Sequence, residues 1–333
     1  MTAFWKNKKV FVTGASGFIG SWLCSRLLKL GSHITILLHD PHEQSELIRS
    51  GLIHKVKVIH GHLEELFLLE KILKENQIDT VFHLGAQTQV RKALINPFET
   101  FETNIRGTYT LLEACRVNAS LIKRIIVASS DKSYGTHAAL PFTEDTALQA
   151  QYPYDVSKAC TDMLSLSYYH TYKLPIAITR CGNVYGGGDF NWDRLIPGTL
   201  WSLYHNTPPT IRSDGLHLRD YVFIQDIIDG YLAIGERLAS FSLQGEVFNL
   251  STNHPSSVLD VVNTLRRLTH KEHLEPIILN KADNEIPHQY LSSAKAKNTL
   301  SWIPSFSPEE GLKLTAKWYL EYMQQAKTLC TIS

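Results

Sequence analysis

The first half of the chain alternates β-rich apolar runs with amphipathic stretches of helical period, and this rhythm narrows the possible folds most. KVFVTG, HITILLH, KVKVIHG, TVFHLGA and RIIVASS follow one another with helical segments between them, as successive βαβ units do. The runs are continuously apolar instead of alternating, which is how strands read when helices cover both faces of a parallel sheet. The expectation is an α/β fold with a doubly wound parallel sheet. Beyond about Gly182 the pattern breaks at GNVYGGGDFNWDRLIP and NTPPTIRSDG, and helices return at Asp226–Leu238, Ser257–Leu268 and Pro308–Met323. The reading divides the chain into a dinucleotide domain over 1–182 with a returning segment at about 217–250, and a smaller C-terminal substrate-binding lobe from 183–216 and 251–333.

Lys and Arg number 33 against 32 Asp and Glu, so no global field draws the chain to nucleic acid or to an anionic membrane. Any phosphate must be held locally. The absence of an apolar run of about 18 residues, and of an apolar core in MTAFWKNKKV, leads to the expectation of a cytoplasmic protein. Five widely spaced cysteines without a CxxC pattern indicate neither a disulfide framework nor a zinc site, and no other metal site is expected.

Gly14-Ala-Ser-Gly17-Phe-Ile-Gly20 follows the run KVFVT directly and opens a helical pattern. Strand, glycines and helix in that order bring backbone close to a pyrophosphate at a helix N-terminus, the Rossmann arrangement. Asp40 ends the second strand twenty positions after Gly20, where a carboxylate binds a ribose diol and repels a ribose phosphate. NAD is therefore expected over NADP, although His39 and His42 beside the acid soften the discrimination.

Tyr154 and Lys158 stand four apart in PYDVSKA, within a helix expected over Tyr152–Tyr172, and so project from one face. An ammonium there lowers the phenol's pKa toward that of a usable base. The run RIIVASS ends in Ser129-Ser130-Asp131-Lys132, at the carboxyl end of a strand, where open α/β sheets place their chemistry. Ser130 can share a substrate proton with Tyr154, and Asp131 with Lys132 sets an acid and a base beside the same reacting group. Taken singly, the Tyr–Lys spacing also fits an exposed pair on a helix, and the charged dipeptide a surface turn.

GASGFIG, VFHLGAQ, NIRGT, SSDKSYG, PYDVSK, RCGNVYGGGD and LRDYVFIQD together resemble the extended short-chain dehydrogenases/reductases acting on nucleoside-diphosphate sugars, from about Phe4 to Tyr322. FWKNKKVFVTGASGFIGSWL, QTQVRKALINPFETFETN, the Ser-Asp-Lys and GGGDFNWDRLIP are most similar to the CDP-glucose 4,6-dehydratase branch. The resemblance implies that Tyr154 removes the sugar C4 hydroxyl proton with Ser130 bonded to that oxygen. It further implies Asp131 as the acid for the departing C6 hydroxyl and Lys132 as the C5 base, which must lose its proton and is best matched by a protonated Asp131.

For NAD, the resemblance implies contacts from Gly14, Ser16, Gly17, Phe18, Ile19 and Gly20. Further along the chain it adds Asp40, His62, Leu63, Leu84 and Ala86, besides Tyr154 and Lys158. His62 stands where the family usually has an adenine-binding Asp. For the sugar nucleotide it implies Asn183 and Arg219 at the diphosphate, Arg194, Leu195 and Ile196 at the nucleotide, Gln87 and Arg91 near the sugar, and Asn104 supporting the active-site helix. A homodimer through helices near Pro97–Val117 and Tyr152–Tyr172 is also implied. A 4-epimerase needs the same Tyr, Lys and Ser but no C5/C6 acid–base pair. A UDP-glucuronate decarboxylase carries glutamate where Lys132 stands, and a non-catalytic NAD(H) sensor keeps the fold without the chemistry.

Overall fold

The structure is a computed structural model describing residues 2–39, 45–238, 243–281 and 286–332. Seven parallel strands form its main sheet: β1 Lys9–Thr13, β2 His33–Leu38, β3 Lys57–His60, β4 Thr80–His83, β5 Arg124–Ala128, β6 Ile176–Cys181 and β7 Glu246–Leu250. Their order across the sheet is β3-β2-β1-β4-β5-β6-β7. Winding reverses between β1 and β4, and such a switch point opens a crevice at the carboxyl ends of the strands.

Strand parity explains the continuous apolar runs. Val10, Val12, Ile36, Phe82, Ile126 and Phe248 enter the core on one face, while Phe11, Leu37, Val81, Ile125, Ile178 and Val247 enter the core on the other. Both faces are covered, so both parities must be apolar. Helix α1, Phe18–Lys29, follows the glycine turn, and α2, Leu66–Glu75, packs against α3, Gly107–Val117. The helix α4, Pro153–Tyr172, has proline in its first turn, where the missing N–H costs nothing.

Past β6 the chain builds the opposite wall of the crevice. Helices α5 Leu195–Tyr204, α7 Val258–Leu268 and α8 Pro308–Ile332 pack on one another. Helix α6, Ile224–Leu238, lies instead against β5 and β6, and the strand after it, β7, completes the main sheet beside β6. A three-stranded sheet joins Ser256–Ser257, Leu218–Arg219 and His288–Gln289. No helix among the described residues is long and apolar enough to cross a membrane.

A buried ion pair fastens α4 to the sheet. Arg180 on β6 donates to Asp162 at 2.9 Å and to the Tyr134 hydroxyl at 2.8 Å, with its guanidinium 4.6 Å above the Tyr134 ring. The Ser129 hydroxyl donates to the second Asp162 oxygen, and Tyr134 donates to Asn249 on β7 at 2.7 Å. Removing one partner of such a pair leaves a buried charge uncompensated, at about 3–5 kcal/mol. Arg180→Met is expected to lower the urea-unfolding free energy by about that amount; a loss below about 1 kcal/mol, the range of exposed pairs, would show that the pair does not fasten the helix.

Candidate active site

At the switch point lies a cleft of about 1250 Å³, above the ~300–1,000 Å³ of a single small-molecule pocket. One wall is the glycine turn with Leu84 and Ala86, the floor is the Ser130–Lys132 segment with α4, and the far wall is Asn183 to Ser202 with Arg219. Gly14, Ser16, Gly17, Phe18, Ile19 and Gly20 all line it.

The glycines divide by cause. A Cβ on Gly14 would come within 2.6 Å of the Leu84 carbonyl carbon, and one on Gly20 within 2.1 Å of the Gly14 oxygen, so the fold itself requires both. At Gly17 a Cβ would meet only the Gly14 oxygen, at 3.2 Å. Gly17 caps α1, so its bare backbone leaves room at a helix N-terminus for an anionic group to approach. That cradle fits a dinucleotide pyrophosphate.

Beneath the turn, His83 bridges Thr13 at 2.9 Å and Thr108 at 3.0 Å, and the Thr13 hydroxyl accepts from the Leu84 and Gly85 amides. Burial, with the nearby Lys158 charge, pulls the imidazole down to about 3, so it stays neutral and structural.

At the floor, Ser130 donates to Asp131 Oδ1 at 3.0 Å and is also hydrogen-bonded to the Tyr154 side chain. Burial pushes the Asp131 carboxyl up against the opposing pull of Lys132, Ser130 and Arg219, and its Oδ2 has no hydrogen-bond partner. Burial and one bare oxygen shift this acid toward its protonated form, that of a proton donor. Lys132 Nζ donates to the Gln289 side-chain oxygen at 2.7 Å.

Tyr154 lies on the same floor. Burial pushes its phenol up to about 12, and the largest opposing charge is Arg194. Lys158 Nζ donates to the Ala128 carbonyl at 2.8 Å. Burial also pulls Lys158 down to about 8, with Asp162 opposing.

Several residues singled out in the sequence do not line the cleft. Asn104 is buried behind the cleft, exchanging hydrogen bonds with the Gln87 backbone at 2.7 and 3.0 Å and donating to Ser157 on α4 at 2.9 Å. It braces α4 and does not line the cleft. The Gln87 side chain donates to Thr100 at 3.0 Å and to the Gln89 carbonyl at 3.2 Å, and does not itself line the cleft. His62 rests edge-on against His39, ring centroids 4.0 Å apart, and Leu63 packs under Gly85 and Gly107; neither lines the cleft. Asp40 and His42 lie outside the described residues.

Arg91, Asn183, Arg194, Leu195, Ile196 and Arg219 all line the cleft. Arg194 pairs with Asp189 at 2.9 Å, and Asp193 lies 3.1 Å from Arg212 and 3.8 Å from Arg91. The sequence offered no signal for the Trp192–Trp201 ring pair, 4.8 Å apart at the far wall. Nor did it single out Asp155, which shares the floor with Lys132.

No group of three or more metal-ligating side chains occurs among the described residues. Cys24, Cys115 and Cys181 are buried free thiols, and Cys160 is half-buried.

The fold and cleft define a Rossmann-type enzyme class with a dinucleotide cradle facing a second ligand wall. The chain belongs to the GDP-mannose 4,6 dehydratase family, whose profile matches residues 11–315. It is 31% identical over 328 residues to a trifunctional UDP-glucose 4,6-dehydratase/3,5-epimerase/reductase of Arabidopsis thaliana, covering 96% of this chain but 48% of that protein. The chain thus spans about half the length of that curated relative. It is 28% identical to a CDP-glucose 4,6-dehydratase of Salmonella typhimurium, covering 96% of this chain and 93% of the relative. A dTDP-glucose 4,6-dehydratase of Bacillus anthracis, solved in complex with NAD, superposes with a TM-score of 0.81 at 29% identity, covering 94% and 96% of the two chains. A UDP-glucose 4-epimerase of Thermotoga maritima superposes with a TM-score of 0.86 at 26% identity, covering 94% and 99%.

Asp155 yields a pH prediction. Burial pushes its carboxyl up to about 6, with Lys132 opposing and Asp131 adding to the rise. The folded chain therefore holds this proton more tightly than the unfolded chain, whose Asp titrates near ~3.9. The stabilisation is complete below that value and is lost as pH rises through 6, leaving a cost of about 3 kcal/mol at pH 7. Asp155→Asn should stabilise the fold at pH 7 by about that amount and give no gain at pH 4. Urea unfolding at both pH values checks it, and a gain of equal size at both would refute the assignment.

Proposed function

We propose that the chain binds NAD in the glycine cradle and a nucleoside-diphosphate hexose against the far wall, and converts the sugar to its 4-keto-6-deoxy form. The observation that carries this reading is the placement of two chemistries on one floor. Ser130 and Tyr154 suit oxidation at C4, and Asp131 with Lys132 suits loss of water across C5 and C6.

NAD supplies the acceptor for the C4 hydride and the donor that returns it at C6. Ionised Tyr154 takes the C4 hydroxyl proton while Ser130 orients that oxygen. The C4 ketone acidifies the C5 hydrogen, which neutral Lys132 removes and later returns. Asp131, which burial shifts toward its protonated form, gives its proton to the C6 oxygen, which leaves as water. Tyr154 has then gained the proton that Asp131 has lost, and Ser130, hydrogen-bonded to both, joins donor to acceptor. The balance closes without an outside reductant.

CDP-glucose is the first substrate to test, on the similarity of the GGGDFNWDRLIP segment to that branch. Overall identity does not choose the base, since the relatives named for UDP, CDP and dTDP sugars lie between 28% and 31%. A 4-epimerase is the second reading, supported by the superposition on such an enzyme, and Asp131-Lys132 argues against it. The exposed Ile95, Phe98, Tyr109, Val117, Met163 and Tyr172, on or beside α3 and α4, support a homodimer; a sedimenting mass of one chain contradicts it.

Purified protein incubated with NAD and CDP-, dTDP-, GDP- and UDP-hexoses, followed by mass spectrometry, should remove one water from a single sugar nucleotide with no net change in nicotinamide. Asp131→Asn should slow water loss about 10²–10⁴-fold, the span of general acid catalysis. Formation of an equal-mass isomer in place of water loss would establish the epimerase reading.

A further inference from the structure

Resting on the dehydratase reading, we propose that Gln289 is a positioning residue for C5 deprotonation: it holds the Asp131-Lys132 pair from the C-terminal lobe and keeps Lys132 able to lose its proton. Gln289 is fully buried and lies 157 positions from Lys132 in sequence. Its side-chain oxygen accepts from Lys132 Nζ at 2.7 Å, and its amide nitrogen donates to the Asp131 backbone carbonyl at 2.8 Å. One planar group thereby fixes both the head of the base and the backbone of the acid.

The chemistry of an amide suits this position. Lysine can remove a carbon-bound proton only in its neutral form, and a neutral acceptor hydrogen-bonds the amine without holding it as the cation. A carboxylate at the same distance would favour the ammonium. Other charges facing Lys132 are its neighbour Asp131, which burial keeps toward the protonated form, and Asp155 on α4, which titrates at about 6. Arg219 on the adjacent strand acts on Asp131. Asp155 is already a source of negative charge at neutral pH, so a second carboxylate would weight the balance further toward ammonium.

Gln289 also connects this pair to the substrate wall. It is in register with Arg219 across the parallel pairing of His288–Gln289 with Leu218–Arg219. Arg219 lines the cleft and donates to the Leu218 and Pro287 carbonyls at 2.9 Å each. A diphosphate gripped by Arg219 therefore bears on the strand pair that carries the Lys132 acceptor.

The test compares wild type, Gln289→Glu and Gln289→Met, with NAD and the sugar nucleotide that wild type dehydrates, after thermal melting shows that the variants are folded. The pH dependence of kcat and the transient absorbance of reduced nicotinamide are read together. Gln289→Glu should move the acid limb of kcat upward by about one pH unit and lower kcat about tenfold at pH 7, with activity recovering as pH rises. Gln289→Met should lower kcat at every pH without that recovery. In both variants reduced nicotinamide should persist after mixing, because C4 oxidation proceeds while C5 deprotonation lags.

An unmoved acid limb in Gln289→Glu, or oxidation slowed in step with elimination, would overturn the role of Gln289 and leave the dehydratase reading standing. If wild type removes water from no sugar nucleotide, the dehydratase reading itself fails and the role of Gln289 falls with it.

Discussion

The site depends on the buried pair between Asp162 and Arg180. Tyr154 and Lys158 reach the cleft from a helix, Ser130 and Asp131 from the end of a strand, and their relative placement is only as exact as the joint between those elements. Asp162 makes that joint, accepting from Arg180 on β6 and from Ser129, the residue before Ser130. Arg180 and Tyr134 extend it to Asn249 on β7. Asn104 braces the same helix from the other side through Ser157, whose hydroxyl donates to the Tyr154 carbonyl at 2.7 Å. Polar groups buried this deeply carry a desolvation cost, and here they return it as a helix held from two sides.

On that frame, burial sets the protonation states. The same burial that raises Asp131 and Tyr154 lowers Lys158. For Asp131 the direction suits an acid. For Tyr154 it opposes a base, and among the protein's own groups Arg194 contributes the largest correction. The phenol thus relies on a cation from the substrate wall and on the positive nicotinamide that the cradle accommodates, so base strength at Tyr154 is tied to a filled cleft.

The sheet was legible because parity and burial are local. Apolar runs such as HITILLH and TVFHLGA report strands covered on both faces, and the glycine turn reports its own backbone crowding. The helices expected at Tyr152–Tyr172 and Ser257–Leu268 appear within one residue of those bounds. Contacts made across the fold were not legible. Gln289 sits in no motif and meets Lys132 only because one short strand pairs with another. Asn104, implied as a support for the active-site helix, reaches Ser157 on α4, whereas Gln87, expected near the sugar, turns its side-chain amide to Thr100 and the Gln89 carbonyl, partners that no local motif announces. The Lys158 ammonium took the Ala128 carbonyl, a choice that helical spacing cannot foresee.

The most direct measurement of the central claim, that oxidation and elimination share one floor, follows a deuterium placed at C4 of the sugar nucleotide. The label should be recovered at C6 of a 4-keto-6-deoxy product, transferred within the same molecule. Label that remains at C4 of an equal-mass isomer, or is lost to solvent, would contradict it.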